Sequence, residues 1–123
     1  MDEEEAKIFL DLLYAIRAKN VSWISSFIQE EPRSEHYFKL KSDKDKNTLL
    51  HYAAATSNPL TVKQIIRGGC PTDEKNDEGE TPLLLAAGHK QTEIALSLIN
   101  EKANVNASNN NGVTVMHLSL IHI

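Results

Sequence analysis

The reactive side chains of this 123-residue chain are one thiol and five imidazoles. Cys70 could serve as a nucleophile with His51 or His89 as its base, because such a dyad needs only spatial proximity. Its place in the sequence points elsewhere. Cys70 aligns with Ala103 in the repeat described below, which marks a small packing position between helices. Metal ligation has no better support. The segment HYFKLKSDKDKN contains Asp43 and Asp45 but lacks the spaced acids and glycine of a calcium loop. His117 and His122 do not make a zinc spacing. Neither G-x-x-x-x-G-K-[ST] nor G-x-G-x-x-G occurs, so no motif cradles a nucleotide phosphate. The expectation is no catalytic residue, no metal and no cofactor.

Charge is the chemistry that remains, and it lies in three loops. KLKSDKDKN sets Lys39, Lys41, Lys44 and Lys46 against Asp43 and Asp45. DEKNDEGE sets Asp73, Glu74, Asp77, Glu78 and Glu80 against Lys75, and NASNNNGV is uncharged. Basic, acidic and neutral loops in that order would favour a partner of complementary charge, mostly through specificity and on-rate. The same residues also serve as an ordinary solvated rim. The chain as a whole has a net charge of -4 and a pI near 5.7, which disfavours nucleic acid as a partner. Hydrophobic residues at 41% and charged ones at 24% fit one globular domain. A single cysteine favours a reducing, cytoplasmic setting. No apolar run reaches the roughly 20 residues of a membrane span, and the acidic start MDEEEAKIFL is unlike a secretory signal.

What positions these loops is an internal repeat. Thr48, Thr81 and Thr114 are evenly spaced (81 − 48 = 114 − 81 = 33). Leu50, Leu83 and Met116 share a column, as do Ala53 with Ala86, Ala54 with Ala87, Ile66 with Ile99, and Gly79 with Gly112. A weaker copy lies upstream, where YAIRAKNVSWISSFI aligns with YAAATSNPLTVKQII. A loop at PRSEH absorbs its extra length, with Pro32 ending the helix before it. Within a unit, Thr81 suits an N-cap, Pro82 the first helical position, and LLLAA a short apolar helix. TEIALSLI adds a second helix with an apolar stripe, and ANVNASNNNG supplies turn residues. Each unit is too thin to bury its own apolar face and must stack on the next. The aromatics Phe9, Tyr14, Trp23, Phe27 and Tyr52 read mainly as core, whereas Tyr37 and Phe38 either pack over the first unit or leave one ring exposed.

The period, Thr-Pro-Leu and the Ala-Ala pair together resemble the ankyrin repeat, whose signature is T-P-L-H-x-A. TPLLLAA at Thr81 matches best; TLLHYAA keeps His51, and TVMH keeps Thr114 and His117. Leu84 departs from the histidine, Lys46 from the glycine at Gly79 and Gly112, and Ser57 and Lys90 from an inter-helix glycine. The resemblance implies an all-α solenoid of stacked helix-turn-helix units with hairpin-like loops. The expected divisions are 8–42 (a degenerate capping repeat), 43–75, 76–108 and a truncated 109–117. Residues 118–123 are expected to be non-native, because LSLIHI translates a transposon-end sequencing adaptor, CTG-TCT-CTT-ATA-CAC-ATC, and the frame is then expected to continue past His117. The alternative is that Leu118 is a native helix residue, since leucine fits the repeat there.

The resemblance further implies a non-catalytic module that presents a concave surface to a protein partner of unknown identity. It implies neither nucleic-acid binding nor membrane insertion. The positions expected to touch that partner are Lys44, Asp45 and Asn47 in the first tip, Asp77, Glu78 and Glu80 in the second, and Asn110, Asn111 and Val113 in the third. Ala55, Thr56, Gly88 and His89 are expected on the adjoining helix surface, with shallow depressions at Ala55 and Gly88. The alternative is the amino-terminal recognition fragment of a longer enzyme, channel or host-delivered bacterial effector.

Overall fold

Most of the long helices begin where a side chain can hold amides that lack an intrahelical partner. Asp2 accepts from the Glu5 amide and Glu5 answers to the Asp2 amide, a capping box at the start of α1 (Glu3–Arg17). Asn20 caps α2 (Val21–Glu30), and Pro32 follows one residue past its C-cap. Asn58 caps α5 (Pro59–Arg67) and Thr81 caps α6 (Pro82–Gly88), each with proline next in line. The remaining helices are α3 (Ser34–Phe38), α4 (Leu49–Thr56) and α7 (Thr92–Asn100), with a 3-10 turn at Met116–Leu118. The computed structural model describes residues 1–56 and 58–118. Ser57 and all of the suspected tail except Leu118 lie outside the described residues.

The helices stack in two rows. α1, α4 and α6 lie side by side in the inner row, and α2, α5 and α7 in the outer row. Inner helices need small residues to approach closely, and Ala53, Ala54, Ala86 and Ala87 supply them, all buried. Between the rows runs one apolar core that includes Leu12, Ile16, Ile24, Leu50, Ile65, Leu83 and Leu98. Among the described residues there is no strand, only an isolated antiparallel bridge between Lys41 and Thr48. The chain is therefore an all-α stack with hairpin-like loops.

The structure corrects three expectations. PRSEH is not a plain loop: its last three residues open α3, which buries Tyr37 and Phe38. Those rings pack on Phe27 at 6.1 and 6.0 Å, and Phe38 lies so close to Gly68 that a Cβ there would come within 2.8 Å of it. Both rings thus pack over the first unit. Trp23 stacks on Phe27 at 5.5 Å yet stays exposed on its other side. Tyr14 is not a core residue at all, at 81% exposure.

Lys46 keeps the turn that its replacement of glycine put in question. Its φ is 62°, beside 75° for Gly79 and 76° for Gly112. Lys90, between α6 and α7, is left-handed as well, at 59°.

Candidate interaction surface

The loop tips are built by short polar turns and then tied to one another. In the second tip the Asn76 side-chain oxygen accepts from the amides of Glu78 and Glu80 at 3.0 and 2.9 Å. Asn109 does the same in the third, for Asn111 and Val113 at 2.9 and 3.0 Å. The side chain thus replaces backbone partners that a tight turn leaves free. Backbone bonds then cross between tips. The Asp77 amide donates to the Asp45 carbonyl at 3.0 Å, and the Asn110 amide donates to the Glu78 carbonyl at 3.0 Å. Lysines repeat the pattern: Lys41 Nζ reaches the Lys75 carbonyl at 3.2 Å, and Lys75 Nζ reaches the Ser108 carbonyl at 3.1 Å.

Beneath the tips, His51 joins two units. Its Nδ1 accepts from the Thr48 amide at 3.0 Å, so its Nε2 carries the proton and donates to the Glu80 carbonyl at 2.8 Å. Burial pushes the imidazole below its ordinary pKa, which keeps it neutral and suited to this bridge. Leu84 takes the equivalent place in the next unit and makes no such bridge. His117 repeats the first half of the arrangement, its Nδ1 accepting from the Thr114 amide at 3.0 Å, but it is exposed.

These contacts sort the expected partner-binding residues. Lys44, Asp77, Glu78, Asn110 and Asn111 are exposed along the tips. Asn47 is half-buried, and its side-chain oxygen accepts from Asn76 at 2.8 Å, so it braces two tips. Glu80 is half-buried and serves His51 and Asn76. Asp45 accepts from the Tyr52 hydroxyl at 3.1 Å and from the Asn47 amide at 3.0 Å. Burial raises its carboxyl, but those bonds prevail and leave it below the usual range. Val113 and Ala55 are half-buried, while Thr56, Gly88 and His89 are exposed at or near the inner-helix ends. Thr56 turns its hydroxyl onto the Tyr52 carbonyl at 2.7 Å, and His89 Nδ1 donates to the Leu85 carbonyl at 3.1 Å. Lys41 pairs with Glu74 at 2.9 Å and Lys39 with Glu35 at 2.9 Å, so part of the basic-to-acidic sequence is neutralised within the molecule.

The same packing constrains Cys70 and His51. Burial pushes the Cys70 thiol up to about 11, which holds it protonated, and both ring nitrogens of His51 are committed. Among the described residues, no group of three His, Cys, Asp or Glu could hold a metal ion. No described helix is long and apolar enough to cross a membrane.

One feature of this face was not read from the sequence. A cavity of about 460 Å³ lies between α1 and α4, lined by Leu10, Leu13, Tyr14, Arg17, Tyr52 and Thr56. Of these, only Thr56 was expected to touch a partner. The sign was present in α1, where two apolar stripes run along one helix. Phe9, Leu12 and Ile16 face the core, and Leu10 and Tyr14 are exposed on another side.

The ankyrin-repeat family model matches residues 50–122 in three copies. The tankyrase poly(ADP-ribose) polymerase of Caenorhabditis elegans is 38% identical over 85 residues, which is 69% of this chain and 4% of that protein. Mouse Rabankyrin-5 is 34% identical, over 59% of this chain and 7% of its own. A probable E3 ubiquitin-protein ligase of rice (Oryza sativa subsp. japonica) is 26% identical over 112 residues, 90% of this chain and 22% of its own. The chain thus spans a small part of each of these relatives.

Proposed function

This chain belongs to the ankyrin-repeat family, and from that premise we propose that it presents the concave face of its stack to a protein partner without doing chemistry itself. The observation that carries the reading is the cross-bracing of the tips. Backbone bonds from Asp77 to Asp45 and from Asn110 to Glu78 hold exposed side chains on one rigid edge. A preorganised surface of that kind loses little entropy when a partner docks. Lys44, Asp77, Glu78, Asn110 and Asn111, with Thr56, Gly88 and His89 beside them, are the proposed contact residues.

The test is binding followed by mapping. Peptides and small folded domains are selected against the purified chain, and amide chemical shifts are followed on titration. Saturable binding with shifts clustered on the tips and inner row supports the reading. Shifts confined to α2, α5 and α7, or no saturable binder from either library, would overturn it.

A second reading is favoured by the fraction of its relatives that the chain spans, 4% of the tankyrase and 22% of the rice ligase. In it, the chain is the recognition arm of a larger multidomain protein whose activity resides elsewhere, as in an enzyme, channel or effector. Transcript sequence beyond the codon for His117 decides between the two. The single buried cysteine fits an intracellular setting for either.

A further inference from the structure

The cavity between α1 and α4 has a composition unlike the polar tips beside it. Its floor and walls are Leu10, Leu13, Tyr14, Tyr52 and Thr56, and Arg17 is its one charged lining residue. Leu10 is 63% exposed and Tyr14 81% exposed, large values for apolar and aromatic side chains that face the same hollow. Along α1, Lys7, Leu10, Tyr14 and Arg17 follow one another at steps of three, four and three residues, which places them on one helix face. Two apolar groups therefore sit between two cations about 15 Å apart along the helix. Neither Lys7 nor Arg17 has an ion-pair partner among the described residues, although Lys39 and Lys41 both do. Glu3 continues the same face four residues before Lys7, and Asp11 borders Tyr14 on its other side, so Arg17 is the cation that stands at the hollow itself.

We propose that this groove seats a peptide segment of a protein partner that carries two neighbouring large apolar side chains flanked by acidic residues, the acids facing Lys7 and Arg17. The proposal rests on the interaction-module reading above and names the partner chemistry for one part of that surface. An amphipathic helix or turn suits the hollow, because side chains at i and i+3 or i+4 lie on one face and enter a groove together. Tyr52 is fixed for this role: its hydroxyl is held by Asp45, so its ring lines the floor in one orientation. The cations supply register and exclude segments of the wrong charge.

The experiment uses a random peptide library displayed on phage and selected against the full chain. Leu10→Ser, Tyr14→Ser and Arg17→Glu are then measured with the selected synthetic peptides. These side chains are exposed, and circular dichroism melts confirm that each variant folds. The expected peptides carry paired Leu, Ile, Phe or Trp with flanking Asp or Glu. Leu10→Ser and Tyr14→Ser weaken them at least tenfold, and Arg17→Glu turns the preference toward peptides with Lys in place of the acid. If peptides bind but are lost only on changing Asp77, Glu78 or His89, the groove proposal fails while the interaction-module reading stands. If neither peptides nor folded domains bind, the reading beneath it fails. A concentration-dependent dimer in sedimentation that Tyr14→Ser abolishes would make the occupant a second copy and also overturn the proposal.

Discussion

His51 shows how one buried polar side chain joins two units. Removing it leaves the Thr48 amide and the Glu80 carbonyl each short of a partner, and unpaired buried groups cost about 1–3 kcal/mol. His51→Leu is the informative variant, because Leu84 already occupies the equivalent place in the next unit. Burial holds the His51 pKa below its unfolded value. Stability tied to the neutral ring is therefore full above the unfolded pKa and is lost as pH falls toward the folded one. At about pH 7.5 the variant should be less stable by about 1–3 kcal/mol, and the gap should narrow by about pH 5.5. Urea melts of both proteins at the two pH values measure it, and a gap that widens on acidification would mean the ring is not buried as the neutral form. The structural part of His51 was legible because Thr and His stand three residues apart in a known register. Tyr14 was not legible. Helical periodicity marks an apolar stripe, but α1 has two, and only the position of α4 decides which is covered.

At the scale of elements, the turns between helices hold left-handed backbone with side chains that disfavour it. Lys46, Lys90 and Lys102 have φ of 62°, 59° and 69°. A non-glycine residue there costs about 1–2 kcal/mol, whereas glycine loses about 0.5–1 kcal/mol more entropy on folding. The difference favours the folded state of each Lys→Gly variant by about 0.5–1 kcal/mol. Denaturant midpoints should rise for all three with an unchanged slope, while Lys63→Gly inside α5 should lower the stability by about 1 kcal/mol and the midpoint with it. A fall for Lys46→Gly would show that its side chain contributes more than its backbone costs. The repeat pattern made these positions visible, since Lys46 aligns with Gly79 and Gly112 and only the backbone need be shared. α3 was invisible for the opposite reason. It has no side-chain N-cap bond and spans five residues, so it owes its helix to Tyr37 and Phe38 packing on Phe27 and to His36 bonding Glu5. Nothing local announces an element held by tertiary contacts alone.

For the whole molecule, stacking means that the stability of each unit depends on its neighbours, and the two ends differ in kind. At the amino-terminal side α1 is capped by a reciprocal box and tied through Glu5 to α3. At the other side Leu96 and Met116 are exposed, and His117 holds Thr114 as His51 holds Thr48. Among the described residues His117 Nε2 lacks the carbonyl that Glu80 gives His51 across 29 residues. A unit joined after His117 could thus use this imidazole as the Glu80 carbonyl uses that of His51. Residues 1–117 expressed alone should therefore melt low or self-associate, and a polar capping repeat joined after His117, with a carbonyl at the spacing of Glu80, should raise the melting temperature and keep a monomer. A generic increase in Tm would follow from covering Met116 and Leu96 with any apolar face, so the imidazole needs its own test. His117→Ala should change the stability of the uncapped chain little, because its Nδ1 bond is solvent-exposed and water can replace it. In the capped chain the same change should cost about 1–3 kcal/mol, the value expected for His51. Equal costs in both backgrounds would mean that His117 only caps its own turn, and that stacking at this end is purely apolar.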